Sequence, residues 1–158
     1  VIELKAGTPV RITQSLGGNN SVEVFGNLVM VGSQDQDALG IQADPMLHAH
    51  LTDDCMSLED KAVLQIKTCY DPEIPVNIYD LGLIYAVNVL EEGDKTVVHI
   101  PMTLTSPSCG MGPFIIEDVK RKVSHIPEVD LVRVELAFDP PWDKNRMSQA
   151  AKLQLNMM

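Results

Sequence analysis

The residue with the most distinctive chemistry in this sequence is Cys109, which lies in a turn rich in glycine and proline. The turn follows a strand-like run, Val97 to Leu104, and precedes a helix-like run, Phe114 to Ile126. A thiol in this position faces the free N–H groups and the positive dipole end of the helix, which favour the thiolate form. A thiolate attacks electrophiles and binds soft metals. The alternative interpretation is a buried cysteine that only fills the turn.

The other two cysteines, Cys55 and Cys69, are far apart in the sequence and form no Cys-x-x-Cys pair. Three cysteines in this arrangement favour free thiols in a reducing compartment over a disulfide framework or a structural zinc site. Cys69 continues the apolar face of a predicted helix, so we expect it to be packed in the core. His48 and His50 could hold a metal ion, but the sequence offers no third ligand nearby.

Composition and charge exclude several classes of function. The chain has 158 residues, of which 45% are hydrophobic and 22% charged, and its formal net charge is −10. Such a chain repels phosphate backbones, so we expect no nucleic-acid partner. It has neither a long apolar stretch nor a leader-like start, so we expect a cytoplasmic protein without membrane association. The motifs of nucleotide-binding, serine-hydrolase and zinc-protease sites are absent.

The sequence predicts two structural parts. Residues 1–40 are predicted to form a small β subdomain with a two-residue hairpin turn at Gly26-Asn27, because glycine at the first turn position suits a type II′ turn. Residues 41–56 show no clean periodicity and are predicted to be a linker. Residues 57–158 are predicted to form the main domain, with elements in the order α-β-β-α-β-α. This order places helices over one face of a mixed sheet, which is a two-layer α+β fold.

Within the main domain, the ends and faces of the elements are predicted from local signals. Ser57 is predicted to cap the first helix, and Ser148 a short last one. The helix after the cysteine turn is predicted to begin near Pro113, with the basic run 120–122 on a solvated flank. The alternation of the last strand is predicted to turn Leu136 toward the core.

Three segments depart from simple core patterning. They are residues 71–85, the turn around Cys109, and residues 139–148 with the single tryptophan of the chain. Asp80, in the first segment, could cap a local turn or present a carboxylate near the thiol. Trp142, in the third, could be a packing residue or a wall of the thiol site.

In this order, the three segments resemble the metal–sulfur cluster biosynthesis family. The motifs that carry the resemblance are DPEIPVNIYDLGLIY at 71–85, MTLTSPSCGM at 102–111 and DPPWDKNRMS at 139–148. Members of this family include bacterial SufT, the phenylacetate-pathway protein PaaD and eukaryotic factors that target iron–sulfur clusters to cytosolic apoproteins. The resemblance covers residues 57–158, and the N-terminal segment is similar to the extension of the SufT branch.

The resemblance implies a domain of the iron–sulfur cluster assembly type and an auxiliary, non-enzymatic role in the maturation of iron–sulfur proteins. It places the reactive cysteine at Cys109, with Thr105 and Asp80 in support. Gly110 stands where many relatives have a proline, which should loosen the turn. The partners implied are the iron–sulfur assembly machinery and client apoproteins.

On this interpretation Cys109 is a transient ligand for labile iron or a cluster, and no tightly bound cofactor is expected. A [2Fe–2S] or [4Fe–4S] cluster normally takes four thiolate ligands, and one chain offers a single well-placed cysteine. A bound cluster would need a homodimer, a second cysteine such as Cys69, or an external thiol. Two alternatives stay open: a non-catalytic adaptor in a maturation or oxygenase-assembly complex, and a thiol enzyme that uses Cys109 as its nucleophile.

Overall fold

A computed structural model of the protein describes residues 3–42, 45–72, 74–106 and 110–157, with the side chains of 45–48 left out. The chain divides into two compact units, Val1–Asp44 and Pro45–Met158. The sequence predicts a boundary at residue 40 and a linker over 41–56. The structure divides the chain after residue 44 instead, and the second unit begins with a 3-10 helix, Pro45–Thr52.

The first unit is a three-stranded antiparallel sheet with the strand order β1-β2-β3. A 3-10 helix, Ser33–Leu39, follows the sheet. The turn between the first two strands is Gly17-Gly18, and both glycines have positive φ angles, 61° and 80°. Glycine adopts left-handed backbone without steric cost, which suits both positions of this turn. The strands are β1 (Arg11–Leu16), β2 (Asn19–Val24) and β3 (Asn27–Val31).

The turn between β2 and β3 corrects the sequence-based prediction. Val24 pairs with Asn27, so the two central residues are Phe25 and Gly26 rather than Gly26 and Asn27. Their φ angles are 50° and 76°. Two positive φ angles define a type I′ turn, which matches the right-handed twist of the strands better than the predicted position would. Asn27 contributes instead by donating a side-chain hydrogen bond to Phe25 O at 3.2 Å.

Phe25 is an unfavourable residue for its turn, because a bulky L residue in left-handed backbone crowds its own carbonyl. Its side chain is 81% exposed, so no packing offsets this cost. We therefore expect Phe25→Asn, which creates the preferred Asn-Gly turn, to stabilise the first unit by about 0.5–1 kcal/mol. Hydrogen exchange of the β2 and β3 amides measures this gain. Leu28→Asn, at an exposed residue of β3 outside the turn, is the control and should give no gain. An equal gain in both variants would contradict the turn argument.

The second unit has the predicted order α-β-β-α-β-α. Its sheet has the order β4-β5-β6, in which β4 and β5 are antiparallel and β5 and β6 are parallel. Helix α2 forms the crossover that a parallel pair requires. The elements are α1 (Leu58–Ile66), β4 (Asn88–Glu92), β5 (Lys95–Met102), α2 (Gly112–Ser124), β6 (Leu131–Leu136), a 3-10 helix (Lys144–Arg146) and α3 (Gln149–Gln154).

The predicted helix caps are confirmed. The Ser57 hydroxyl accepts a hydrogen bond from Asp60 N at 3.1 Å, and the Ser148 hydroxyl accepts one from Ala151 N at 3.1 Å. Helices and strands share a single core, because alternate residues of β5 meet the apolar faces of the two longer helices. The core residues of these three elements are Val98, Ile100 and Met102 on β5, Ala62 and Ile66 on α1, and Ile115, Val119 and Val123 on α2.

Two predictions about side-chain positions are wrong. Leu136 is 39% exposed rather than turned into the core, because it is the last residue of an edge strand. Lys122 is 1% exposed, although the basic run 120–122 was predicted to be solvated.

Lys122 is buried because it joins the two main helices. Its ammonium donates to Thr68 O at 2.6 Å and lies 3.3 Å from the carboxylate of Asp118. Thr68 follows the end of α1, where backbone carbonyls lack partners within the helix. Arg121 also pairs with Asp118, which is itself buried. The charged run of α2 is therefore partly exposed to solvent and partly buried in contacts that stabilise the fold.

We expect Lys122→Met to lower the free energy of unfolding by about 2–4 kcal/mol, because it leaves a buried carboxylate and a carbonyl without their ammonium partner. Urea denaturation measures the change. Lys120→Met is the matched control: its ammonium forms an exposed pair with Glu117, and its loss should cost no more than about 0.5 kcal/mol. Equal effects in the two variants would show that Lys122 contributes nothing as a buried charge.

Candidate functional site

Two of the three segments singled out in the sequence interlock. Residues 78–85 form a loop before β4, and residues 139–148 form another after β6. The second loop donates to three successive carbonyls of the first, so its backbone follows that of its partner closely. These hydrogen bonds run from Ser148 N to Asp80 O (2.8 Å), from Trp142 Nε1 to Leu81 O (2.8 Å) and from Arg146 Nε to Gly82 O (3.2 Å).

Gly82 is the point of closest approach between the loops. Its φ angle is +76°, and a Cβ atom placed on it would lie 2.4 Å from Arg146 O. Both the backbone conformation and the space exclude any other residue. The glycine of the DLG sequence is therefore a requirement of the contact with the third segment.

Tyr85 closes the other end of the interlocked loops. The guanidinium of Arg146 lies over its ring, 4.2 Å from the centroid, and its hydroxyl donates to Pro140 O. The stacked arginine adds a cation–π attraction to its hydrogen bond with Gly82 O. Sequence analysis did not single out Arg146 or Tyr85, although both lie inside the motifs that carry the resemblance.

Asp80 is half-buried and is held by its own loop. Its backbone N–H donates to Asn77 Oδ1 at 2.9 Å, and its Oδ2 accepts from Asn77 Nδ2 at 2.7 Å. This is the local turn that the sequence left open as one role for Asp80. Burial raises the pKa of Tyr70, and the negative charge of Asp80 raises it further.

The remaining segment, the one that contains Cys109, begins beside the interlocked loops. Thr103 N donates to Leu83 O at 2.8 Å, and Tyr85 N donates to Pro101 O at 2.9 Å, so the end of β5 is fastened to the first loop. Thr105 follows and is half-buried. Cys109 lies outside the described residues.

The residues after Cys109 lead into α2. Gly110 is exposed, and a Cβ atom on it would meet nothing within 4 Å. Gly112, the first residue of α2, lies close to the Leu104 side chain, so the helix start is fixed against the end of the β5 segment. The flanks of the cysteine turn are thus held at both sides, as the strand-turn-helix pattern of the sequence indicated.

The other cysteines have contrasting environments. Cys55 is exposed, whereas Cys69 is buried as predicted, and its thiol donates to Gln65 O at 3.7 Å. Burial raises the pKa of the Cys69 thiol strongly, and the nearby carboxylate of Asp118 raises it further. Cys69 is therefore a core thiol with no thiolate to offer a metal. Within the described ranges, no group of three or more histidine, cysteine or acidic residues is arranged to hold a metal ion.

A cleft, which we call the edge cleft, opens beside the interlocked loops and has a volume of about 630 Å³. It lies between the first turns of α1 and the residues that precede β4. Its lining is mixed, with apolar and aromatic side chains, two acids and one arginine. The lining residues are Glu59, Val63, Tyr79, Asp80, Gly82, Ile84, Tyr85, Ala86, Val87, Arg146 and Ser148.

Comparison with known proteins agrees with this arrangement. A family model described as iron–sulfur cluster assembly protein matches residues 60–136. The Fe-S protein maturation auxiliary factor of Porphyromonas gingivalis is 45% identical over 108 residues, which is 68% of this chain and 100% of that protein. The chain belongs to the iron–sulfur cluster assembly protein family. The resemblance inferred from the three motifs is thereby confirmed.

Further relatives agree in sequence and in fold. The Fe-S protein maturation auxiliary factor SufT of Staphylococcus aureus is 46% identical over 87 residues, which is 55% of this chain and 96% of that protein. The crystal structure of a DUF59 domain from Bacillus anthracis covers 64% of this chain and 93% of its own, with 39% identity and a TM-score of 0.55. The α+β fold expected of an assembly-type domain is confirmed. In the part of the chain that the structure describes, no helix has the length and hydrophobicity to cross a membrane.

The contact at Gly82 leads to a direct test. We expect Gly82→Ala to lower the free energy of unfolding by about 2 kcal/mol or more, because the new Cβ atom meets the Arg146 backbone. Urea denaturation of the whole chain measures the loss. Gly93→Ala is the control, since Gly93 also has a positive φ angle, 65°, but has open space around it. It should cost only the backbone strain of about 1 kcal/mol, and equal costs would refute the close approach.

Proposed function

We propose that this protein is an auxiliary factor in the maturation of iron–sulfur proteins, in which the Cys109 thiol contacts iron, a cluster or the client apoprotein. The observation that carries the proposal is its relative in Porphyromonas gingivalis, which is named an Fe-S protein maturation auxiliary factor and is matched over its full length. We propose no catalytic residue, since a factor of this kind acts by binding and transfer.

The described flanks of Cys109 support a reactive thiol. Helix α2 begins at Gly112, and its first N–H groups have no partner within the helix. Such a helix start favours a thiolate three residues earlier over a neutral thiol. Thr105 and Gly110 lie on either side of the cysteine turn. Asp80 lines the edge cleft and belongs to the loop that holds the end of β5.

Iron or a cluster fits this chain as cargo in transit. Four thiolates normally hold a cluster, and Cys69 is excluded as a second ligand by its burial and its raised pKa. Cys55 is exposed and available, but it stands alone among the described cysteines. Further ligands must therefore come from a partner, a second copy or a small thiol. The proposed partners are the assembly machinery and the client apoprotein.

The proposal is tested by anaerobic reconstitution with ferrous iron and sulfide. We expect the wild-type chain to take up iron with visible charge-transfer bands, and Cys109→Ala to lose most of both, because the proposed reactive thiol has been removed. Visible absorption and an assay of bound iron are the measurements. Cys55→Ala is the matched control and should behave as wild type.

Other results would point to different functions. Iron uptake that Cys109→Ala leaves unchanged would overturn the role of this thiol. Uptake in none of the three proteins would favour an adaptor that holds the client without touching the cluster. An adaptor would then be the better description of the role of this protein within the same family.

A further inference from the structure

The edge cleft contains a stretch of backbone that the sheet leaves unpaired. Ile84 bridges to Met102, and Asn88 pairs with His99. Between these pairs, the outer side has the three residues 85–87, whereas β5 has only two. The extra residue makes a β-bulge, which disrupts the ladder locally and bends the outer strand.

Pro101 is the physical cause of this interruption. Its carbonyl accepts from Tyr85 N, but proline has no N–H to donate in return. A proline inside a central strand is tolerated only where the ladder is broken. The sequence pattern predicts a strand from Leu83 to Leu90, whereas β4 begins at Asn88 for this reason.

At this point two successive residues have peptide groups that are available to form hydrogen bonds with another strand. Within the described residues, Ala86 and Val87 neither donate nor accept a backbone hydrogen bond, and both line the edge cleft. Among the described strands, β4 pairs only with β5, so its outer edge has no strand partner there. An open edge of this kind is a template for the addition of another strand.

The charged side chains around this edge favour a ligand with a positive charge. The lining includes two acids, Glu59 and Asp80, against one base, Arg146. The arginine is stacked on Tyr85 and hydrogen-bonded to Gly82 O, so its charge is held against the wall of the cleft. Glu59 is exposed on the first turn of α1, and it forms no ion pair with any described residue. The Lys67 ammonium is stacked on the ring of Tyr79, 5.1 Å from its centroid. Glu59 is therefore the charge that a cationic side chain of a ligand complements.

We propose that the edge cleft binds an extended segment of a partner protein, which adds a strand at Ala86–Val87 and places a lysine or arginine beside Glu59. Apolar residues at alternate positions of the segment contact Val63, Tyr79 and Ile84. The peptide groups provide affinity through main-chain hydrogen bonds, and the acid provides selectivity. This proposal deepens the proposed function and rests on it only for the identity of the natural partner, a component or client of iron–sulfur maturation.

The test uses a fluorescein-labelled peptide, acetyl-Val-Lys-Val-Lys-Val-Lys-Val-amide, and the whole chain at low salt. Fluorescence anisotropy measures the dissociation constant. We expect an otherwise identical peptide with glutamate in place of lysine to bind at least about fivefold more weakly. A peptide N-methylated at alternate residues should not bind, because it cannot pair with a strand. This comparison uses only wild-type protein, so a folding defect cannot explain its result.

Variants and hydrogen exchange locate the site. Glu59→Gln should weaken binding of the lysine peptide about threefold, whereas Glu117→Gln, at an exposed glutamate on α2, should leave it unchanged. Bound peptide should slow amide exchange at Ala86 and Val87. Equal affinity for the two charged peptides, retained binding of the N-methylated one, or unchanged exchange at these two amides would overturn the proposal.

Two further results have defined meanings. Slow exchange at Ala86 and Val87 in the absence of peptide, together with a concentration-dependent dimer in sedimentation, would show that a second copy occupies the edge and would overturn the proposal. Cys109→Ala should bind the lysine peptide with wild-type affinity. Loss of reconstitution and loss of peptide binding are therefore separate failures, one of the proposed function and the other of this site.

Discussion

The second unit depends on the contact between two loops that are far apart in the chain. A glycine in one loop lets the backbone of the other approach within van der Waals distance, and three carbonyls in a row then receive donors from the second loop. Buried polar groups of a loop must find partners somewhere, and here each loop provides them for the other. Gly82 and Arg146 are at the centre of this contact, which fixes one wall of the edge cleft and the position of Asp80.

A second constraint, the missing N–H of Pro101, acts on the sheet. It interrupts the ladder between β5 and the outer strand and leaves Ala86 and Val87 without backbone partners among the described residues. Strand edges are usually protected against association, and here the unprotected stretch is short and lies within a cleft rather than on a flat surface. The same proline therefore shortens β4 and provides the peptide groups on which strand addition depends.

The three cysteines illustrate how the environment decides the chemistry of one residue type. Cys69 is held in the core between two helices, where burial and a carboxylate oppose its ionisation. Cys55 is exposed and also lies three residues before a helix, but the start of α1 is capped by the Ser57 hydroxyl and has two acids, Glu59 and Asp60, in its first turn. For Cys109 we propose a reactive thiol, because α2 begins three residues later in the sequence and the N–H groups at a helix start favour a thiolate. A cluster in transit, rather than one in residence, agrees with this distribution of thiols.

Sequence alone determined the order of elements in the second unit, the caps at Ser57 and Ser148, the burial of Cys69 and the family, because these depend on local signals and on short ordered motifs. It did not determine that Lys122 is buried, that Leu136 is exposed, or that the hairpin turns at Phe25. Each of these depends on which surface an element meets or on the register of a strand, and periodicity specifies neither. The tertiary structure alone decided that residues 78–85 and 139–148 interlock, since contacts between residues 61 positions apart leave no periodic signal. It also decided where the hydrogen-bond ladder between β5 and the outer strand is interrupted, although Pro101, which causes the interruption, is visible in the sequence.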